Sequence, residues 1–155
     1  MTHLAAKSRK TGALKCLLQL GASTNARDSG SRTCLHVAAL AGNSSAVKAL
    51  VEASAHVNVS DSQLRTPLHA ACLSGMPIIV ASLLEASAAV DVQDWRLETP
   101  LHLAVAHGHA EAARQLLMAG ADWEIRNLEG NNSWHAAGFW YRHEDMAEDV
   151  EKRLS

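Results

Sequence analysis

The chain has 155 residues, 48% of them hydrophobic and 19% charged, which is enough apolar material for the core of one globular domain. A formal net charge of −2 at pH 7 argues against a general binder of nucleic acids. Three cysteines without close spacing argue against a disulfide framework and favour reduced thiols inside the cell. The sequence shows neither a signal-peptide pattern nor about 18 uninterrupted apolar residues. We therefore expect no membrane insertion and a location in the cytoplasm or, alternatively, the nucleus.

Charge is distributed unevenly along the chain. Residues 1–32 hold six lysines and arginines against one acid, whereas residues 122–155 hold eight acids against four bases. Such asymmetry can orient a molecule towards a partner, but it does not identify the partner.

One period of 33 residues runs through the whole sequence. Histidine occurs five times at this interval, at His3, His36, His69, His102 and His135. Four further sets keep the same interval: Asp28, Asp61, Asp94 and Asn127; Thr33, Thr66, Thr99 and Asn132; Ala22, Ala55, Ala88 and Ala121; Leu17, Leu50, Leu83 and Leu116. Parallel sets with one period indicate an internal repeat.

Each full unit predicts two short helices. A Thr-Pro pair such as Thr66 and Pro67 favours a helix start, because threonine can cap the free amides and proline suits the first turn. A following glycine, Gly75 in this unit, favours the end of that helix in a tight turn. Apolar residues at helical spacing, such as Ala112 and Leu116, predict a second helix. Two short helices cannot bury their apolar faces alone, so neighbouring units should stack around one continuous core.

Three stretches carry a specific pattern: "TCLHVAALAGNSSAVKALVEASAHVN" (33–58), "TPLHAACLSG" (66–75) and "TPLHLAVAHGHAEAARQLLMAGAD" (99–122). They resemble the ankyrin repeat, whose signature includes T-P-L-H-x-A, although Cys34 stands where proline is usual. The resemblance implies an all-α ankyrin-repeat solenoid of stacked helix-turn-helix units with protruding loops. It divides a single domain, residues 1–155, into a partial first repeat (1–27), full repeats (28–60, 61–93 and 94–126) and a divergent C-terminal capping repeat (127–155).

The first unit departs from the pattern. It opens inside helix one, Arg9 and Lys10 replace the usual Gly-His, and Gly12 falls where helix two should begin. Because a glycine inside a helix costs roughly 0.5–1 kcal/mol, we expect this end to fray and to leave Leu4 poorly covered. We expect Met1 to begin a piece of a longer array; the alternative is that the first unit is a weak cap.

Two serines occupy positions that glycines hold in sister units. Ser54 and Ser87 correspond to Gly21 and Gly120. Those glycines are expected to be left-handed after helix two, a conformation that serine tolerates poorly. Replacing both serines by glycine should therefore stabilise the fold.

The repeat accounts for most of the nine histidines. The resemblance implies that the T-P-L-H histidine bonds the threonine of its own unit and the backbone of the next. It also implies a contact at the start of helix two for His109, while His107 ends helix one on a surface that ankyrin proteins use for binding. Zinc needs about four suitable ligands, and the sequence has no C-x-x-C, so we expect neither a metal nor a cofactor.

Signatures of catalysis are absent from the sequence. It has no G-x-S-x-G, no P-loop and no alternation of strands and helices to present one. The densest acidic run, "HEDMAEDVE" (143–151), has helical spacing in the last unit, where a polar outer face is a simpler interpretation than a cation site. We expect no enzymatic activity.

The resemblance implies that partners contact the loop tips before each T-P-L-H and the exposed face of helix one. The candidate partner-binding residues are then Arg32, Leu40, Arg65, Leu73, Trp95, Arg96, Glu98, His107, Asn131 and Trp140. Trp95 and Arg96 fall at a predicted tip, and Trp and Arg dominate binding hot spots; alternatively, Trp95 folds back onto the neighbouring loop. In "GFWYR" (138–142), some aromatic residues should pack against the last unit and the rest should form an exposed patch.

The sequence therefore predicts a non-catalytic, monomeric protein–protein interaction module that binds a segment of a partner protein along this surface. Two alternatives remain open. The chain could be the targeting or regulatory part of a larger enzyme or ubiquitin-ligase adaptor, or it could be a purely structural spacer.

Overall fold

The computed structural model describes residues 2–7 and 11–136. Over these residues the helices are α1 Thr2–Lys7, α2 Gly12–Gln19, α3 Cys34–Leu40, α4 Ser44–Glu52, α5 Pro67–Ser74, α6 Pro77–Glu85, α7 Pro100–Ala106, α8 Ala110–Met118 and α9 Ser133–Ala136. An isolated bridge pairs Arg27 with Thr33. None of the helices in this part of the chain is long and apolar enough to cross a membrane.

The first helix of each full unit begins after a threonine. Thr33, Thr66 and Thr99 have extended backbone and precede α3, α5 and α7. A proline opens α5 and α7, where its missing N–H would have no partner within the helix. Each threonine and the histidine three residues later cap one another reciprocally, which satisfies amides that the helix leaves free. The predicted Thr-Pro starts are confirmed.

Left-handed glycines follow the first helices. Gly42, Gly75 and Gly108 have φ of 68°, 65° and 72°. Gly75 has a second requirement, because a Cβ at this position would collide with the imidazole of His109 in the next unit. His109, which immediately precedes α8, therefore covers the turn at Gly75 in the preceding unit.

Two serines are left-handed after the second helices. Ser54 and Ser87 have φ of 59° and 64°, and their counterparts Gly21 and Gly120 have φ of 81° and 87°. The conformation predicted from the glycines is confirmed, and the serines hold it without the freedom of glycine.

The helix pairs stack into one array. α3 packs against α1 and α5, α5 against α7, and α7 against α9, while α4 packs against α6 and α6 against α8. The first helices thus form one layer and the second helices another, with a continuous core between them. Its largest fully buried side chains are Leu14, Leu35, Val47, Leu50, Leu68, His69, Ile79, Val80, Leu83, Leu101, His102 and Leu116. The predicted solenoid is confirmed.

The second helix of the first unit begins where the sequence predicts. α2 begins at Gly12, so this glycine lies at the helix start and not in its interior. The full entropic cost of a glycine in the middle of a helix therefore does not apply to Gly12. Leu4 is 73% exposed, as expected for a poorly covered end, and Arg9 and Lys10 lie outside the described residues.

Candidate functional site

Four loop tips precede the first helices, and we call residues 28–32, 61–65, 94–98 and 127–131 tips 1 to 4. In tip 1, Asp28 Oδ1 accepts hydrogen bonds from the backbone N–H groups of Gly30 and Arg32 at 2.9 and 3.0 Å. The Asp28 N–H in turn donates to the Arg32 carbonyl. The first residue of each of tips 2 to 4 makes the same bonds; these residues are Asp61, Asp94 and Asn127. These residues recur every 33 positions because the amides of each tip need one short side chain that accepts hydrogen bonds.

Backbone hydrogen bonds join each tip to the next. In each case the N–H of the second residue of one tip donates to the carbonyl of the third residue of the preceding tip. The pairs are Ser62 to Gly30 at 3.0 Å, Trp95 to Gln63 at 3.1 Å and Leu128 to Arg96 at 2.9 Å. The four tips therefore form one continuous row.

The T-P-L-H histidines hold the units together from within. His36 Nε2 lies 2.9 Å from the Arg65 carbonyl, and His36 Nδ1 lies 2.9 Å from the Thr33 hydroxyl. Because a carbonyl can only accept, Nε2 carries the proton and Nδ1 accepts from the threonine. Three more histidines make the inter-unit bond: His3 to Arg32, His69 to Glu98 and His102 to Asn131. The implied structural role is confirmed for these four, while His135 contacts Asn132 of its own unit.

Burial keeps two of these rings neutral. Desolvation lowers the pKa of His69 from 6.5 to about 4, although the bond to the Glu98 carbonyl opposes the shift. Desolvation also lowers the pKa of His36. Both imidazoles are enclosed by the inter-unit packing, so neither is placed to act as an acid or a base on a bound molecule.

Two tip arginines are held by aspartates. Arg32 Nη2 lies 2.8 Å from Asp28 Oδ2 within tip 1, and hydrogen bonding from Arg32 lowers the pKa of Asp28 to about 2. Arg65 Nε lies 3.0 Å from Oδ2 of Asp94, a fully buried side chain of tip 3. Arg65 therefore links tip 2 to tip 3, while Arg32 stays more exposed.

Exposed apolar side chains gather on tips 2 to 4. Trp95 and Leu128 are 53% and 63% exposed and occupy equivalent positions of tips 3 and 4. Leu64 and Leu97 are 54% and 40% exposed and occupy equivalent positions of tips 2 and 3. These four side chains are two pairs of equivalent residues, and we call them the tip patch.

Arg96 borders the tip patch. Its guanidinium carbon lies 6.0 Å from the centroid of the Trp95 ring. Its Nη2 lies 3.0 Å from Glu129 Oε1, and its Nε lies 3.9 Å from Glu98 Oε2. Arg96 thus stays next to the indole with its charge compensated, and the Trp95 ring remains more than half exposed.

Two leucines of the tip patch have a backbone conformation that leucine disfavours. Leu64 and Leu97 have φ of 58° and 59°, and the equivalent residue of tip 4, Gly130, has φ of 77°. A left-handed conformation costs a residue with a Cβ about 1 kcal/mol or more. The sequence-based candidates include neither leucine. In the sequence, only Gly130 signals a left-handed residue at this position. Leu97 and Leu64 lie one and two repeats before it, so the repeat could have identified both as left-handed.

Comparison with known families agrees with this architecture. The family profile described as ankyrin repeats (3 copies) matches residues 2–94 and 60–127. The chain belongs to the ankyrin-repeat family. Ankyrin repeats are generally protein–protein interaction modules and are typically non-catalytic. No curated protein matches the sequence.

The remaining sequence-predicted residues lie at different depths of this ankyrin array. Leu40 is exposed at the end of α3, and Leu73 is half-buried in α5 against the core. The carbonyls of Glu98 and Asn131 accept inter-unit histidine bonds, which fixes the backbone of tips 3 and 4. Trp140, the "GFWYR" stretch (138–142) and the acidic run (143–151) lie outside the described residues.

His107 lies at the end of α7 in the third full repeat. Its Nδ1 is 2.9 Å from the Leu103 carbonyl, and its ring stacks on that of His109 with 6.1 Å between centroids. In the described part of the chain no group of three potential metal ligands comes together. The pair therefore joins the turn of its own ankyrin unit to that of the preceding one, where His109 covers Gly75.

The buried cysteine Cys72 offers no reactive thiolate. It lies inside α5, and desolvation raises the pKa of its thiol to about 12. A thiol must ionise to act as a nucleophile. This side chain therefore serves the ankyrin core.

Proposed function

We propose that this ankyrin array is a non-catalytic module that binds a segment of a partner protein along the row of tips. One observation carries the proposal: four exposed apolar side chains lie on three consecutive tips that backbone hydrogen bonds hold in place. Glycine would meet the backbone requirement at Leu64 and Leu97 with less strain. Exposed apolar side chains in a strained conformation point to an interaction site.

The chemistry of the surface also fits a binding hot spot. Trp95 provides a large apolar face, and Arg96 lies beside it. Trp and Arg are the residue types most enriched where truncation weakens binding. Because each tip is fixed by its own acceptor side chain and by its neighbour, little conformational entropy is lost when a partner binds.

We place this module inside the cell and as a single copy. The cysteines of the described residues are free thiols, and Cys34 and Cys72 are buried in the core, which fits a reducing compartment. A partner segment that lies along the tips of one chain needs no second copy.

Substitution of Trp95 tests the proposal. Peptides selected from a random display library against the immobilised protein serve as probes, and their affinities are measured by calorimetry for the parent, Trp95→Ala and Ile78→Ala. Trp95→Ala should weaken binding at least about tenfold, as expected for a hot-spot residue. Its thermal midpoint should stay within a few degrees, because the indole is exposed.

Ile78 is the matched control, since it is an exposed apolar residue on α6, outside the tips. Ile78→Ala should leave the affinities unchanged. Equal affinities for the parent and Trp95→Ala would show that the tip patch is not the binding site.

A further inference from the structure

In each full repeat, the residue just before the second helix contacts the preceding unit. Asn43, Met76 and His109 hold this position before α4, α6 and α8. Asn43 Nδ2 donates to the Ala6 carbonyl at 3.1 Å, and the His109 ring covers Gly75. In the second full repeat the residue is a methionine, so this link between units depends on a thioether.

The Met76 side chain lies on the turn that follows α3. A Cβ added at Gly42 would lie 2.9 Å from Met76 Cε, 3.4 Å from its Cγ and 3.9 Å from its Sδ. Gly42 is left-handed, with φ of 68°, so glycine both permits the turn and leaves the space that the methyl group fills. The contact is close and apolar, and a larger or more polar group in place of the thioether would oppose it.

Solvent also reaches Met76, because the residue is 42% exposed. The other methionine of the described residues, Met118, is 71% exposed. Its Sδ lies 2.9 Å from Arg114 Nη1, a contact within the single helix α8. Met118 therefore has the same chemistry and at least the same exposure, without the contact to a neighbouring turn, and it is the matched control.

We propose that Met76 is an oxidation site at the junction of the first and second full repeats, and that its sulfoxide weakens this junction. The oxidant is hydrogen peroxide. The thioether sulfur donates a lone pair to one peroxide oxygen, an S–O bond forms, the O–O bond breaks, and the other oxygen leaves as water with both protons. The sulfur is thereby oxidised and the peroxide reduced.

The product explains the effect on the junction. A sulfoxide is polar and carries one more oxygen than the thioether, whereas the turn at Gly42 accommodates an apolar methyl group. This inference does not depend on the proposed function, because the turn follows the first helix of its unit whereas the tips precede the first helices.

Thermal unfolding after peroxide treatment tests the proposal on the full chain, with the parent, Met76→Leu and Met118→Leu. Leucine is apolar, has a similar volume and has no sulfur to oxidise. Mass spectrometry of tryptic peptides measures how far each methionine is oxidised. Oxidation should lower the thermal midpoint of the parent by about 2–4 °C. Met118→Leu should show the same shift, and Met76→Leu should lose most of it.

Hydrogen exchange shows whether the effect is at the junction. The N–H groups of Gly42 and Asn43 donate backbone bonds of 3.1 and 2.9 Å that close the turn under Met76. Oxidation should make these two amides exchange about fivefold faster. The equivalent amides of the third full repeat, Gly108 and His109, are the internal control and should be unaffected.

Three results would overturn the proposal. If Met76 stays reduced while Met118 is fully oxidised, the sulfur of Met76 is not accessible. If Met76 is oxidised but the midpoint and the exchange of the turn do not change, the sulfoxide does not weaken the junction. If the shift persists in Met76→Leu, it belongs to another residue.

Discussion

At Leu64 and Leu97 the left-handed backbone favours glycine, but the residue present carries a large apolar side chain. Both residues have left-handed φ, which glycine adopts without strain, and both place an apolar side chain in the tip patch. Ser54 and Ser87 have the same backbone conformation after the second helices, outside the tips. Among the described residues, five residues other than glycine are left-handed: Ser54 and Ser87 after the second helices, and Ser31, Leu64 and Leu97 at one equivalent position of tips 1 to 3.

Glycine at these positions should separate stability from binding. In the double variant Leu64→Gly/Leu97→Gly, relief of strain should leave the free energy of unfolding unchanged or raise it by up to about 1 kcal/mol. Affinity for selected peptides should fall at least about tenfold, because two apolar contacts are lost. Urea titration and calorimetry give the two quantities.

The control variant Ser54→Gly/Ser87→Gly relieves the same strain elsewhere. It should gain about 1 kcal/mol in total and bind with unchanged affinity. A destabilised leucine variant with unchanged affinity would show that Leu64 and Leu97 serve the fold and not a partner.

Sequence reasoning reached the serines but not the leucines. Gly21 and Gly120 flank the serines in the repeat and identify their backbone conformation, since two glycines in one set indicate a left-handed position. At the tips, Gly130 is a single glycine among Ser31, Leu64 and Leu97. Leucine itself carries no signal of a left-handed residue, so this part of the surface required coordinates.

In the first helix of each full unit, one histidine both caps the helix and bonds to the next unit. In α5, His69 accepts from Thr66 through Nδ1 and donates to the Glu98 carbonyl through Nε2. Both bonds need the neutral ring. Protonation would place a donor at Nδ1, facing the Thr66 N–H, which also donates.

The stability of the array should therefore fall in mild acid. The pKa of His69 is 6.5 in the unfolded chain and about 4 in the folded one, and that of His36 is also lowered. Between these values the unfolded state binds more protons, so stability is lost as pH falls from about 6.5. Each such histidine contributes a slope of up to about 1.4 kcal/mol per pH unit.

Urea titrations between pH 7 and 5 measure this slope above the range where carboxylates titrate. His69→Gln should lower stability at pH 7 but give a shallower slope, because one buried titrating group is gone. As a control for replacing histidine by glutamine, the slope of His107→Gln, which alters an exposed ring, is measured beside that of His69→Gln. A slope that is the same in parent and His69→Gln would refute the link between burial of this ring and acid sensitivity.

The helix starts were predictable because each requires a particular residue. Thr66 and Pro67 predict the start of α5 through capping and the missing N–H. The tip turns were visible only as an unexplained set of Asp and Asn residues, since the bonds of Asp61 run to amides within its own loop. The start of α2 at Gly12 agrees with the predicted start of helix two in the first unit.

At the scale of the whole molecule, stability comes from interfaces between neighbouring units. Each repeat contacts only the next, so an array behaves approximately as a one-dimensional stack. A fixed interval between histidines was sufficient to predict this, because every inter-unit bond of a T-P-L-H histidine uses the same two positions. The location of a partner does not follow from the interval, since it depends on the residues that differ between repeats, such as Trp95.

The stack predicts that the first unit opens before its neighbours. Over the described residues α1 packs against α2 and α3, whereas α3 has packing neighbours on both sides, α1 and α5. Lys15 in α2 and Lys48 in α4 are exposed and occupy equivalent positions of their repeats, so they form a matched pair of trypsin sites. Limited trypsin digestion followed by mass spectrometry should show cleavage after Lys15 well before cleavage after Lys48, because cleavage requires local opening of the helix. If residues 1–27 stay intact while the chain is cut at Lys48, the first unit is as firmly held as the second, and the expectation of fraying is wrong.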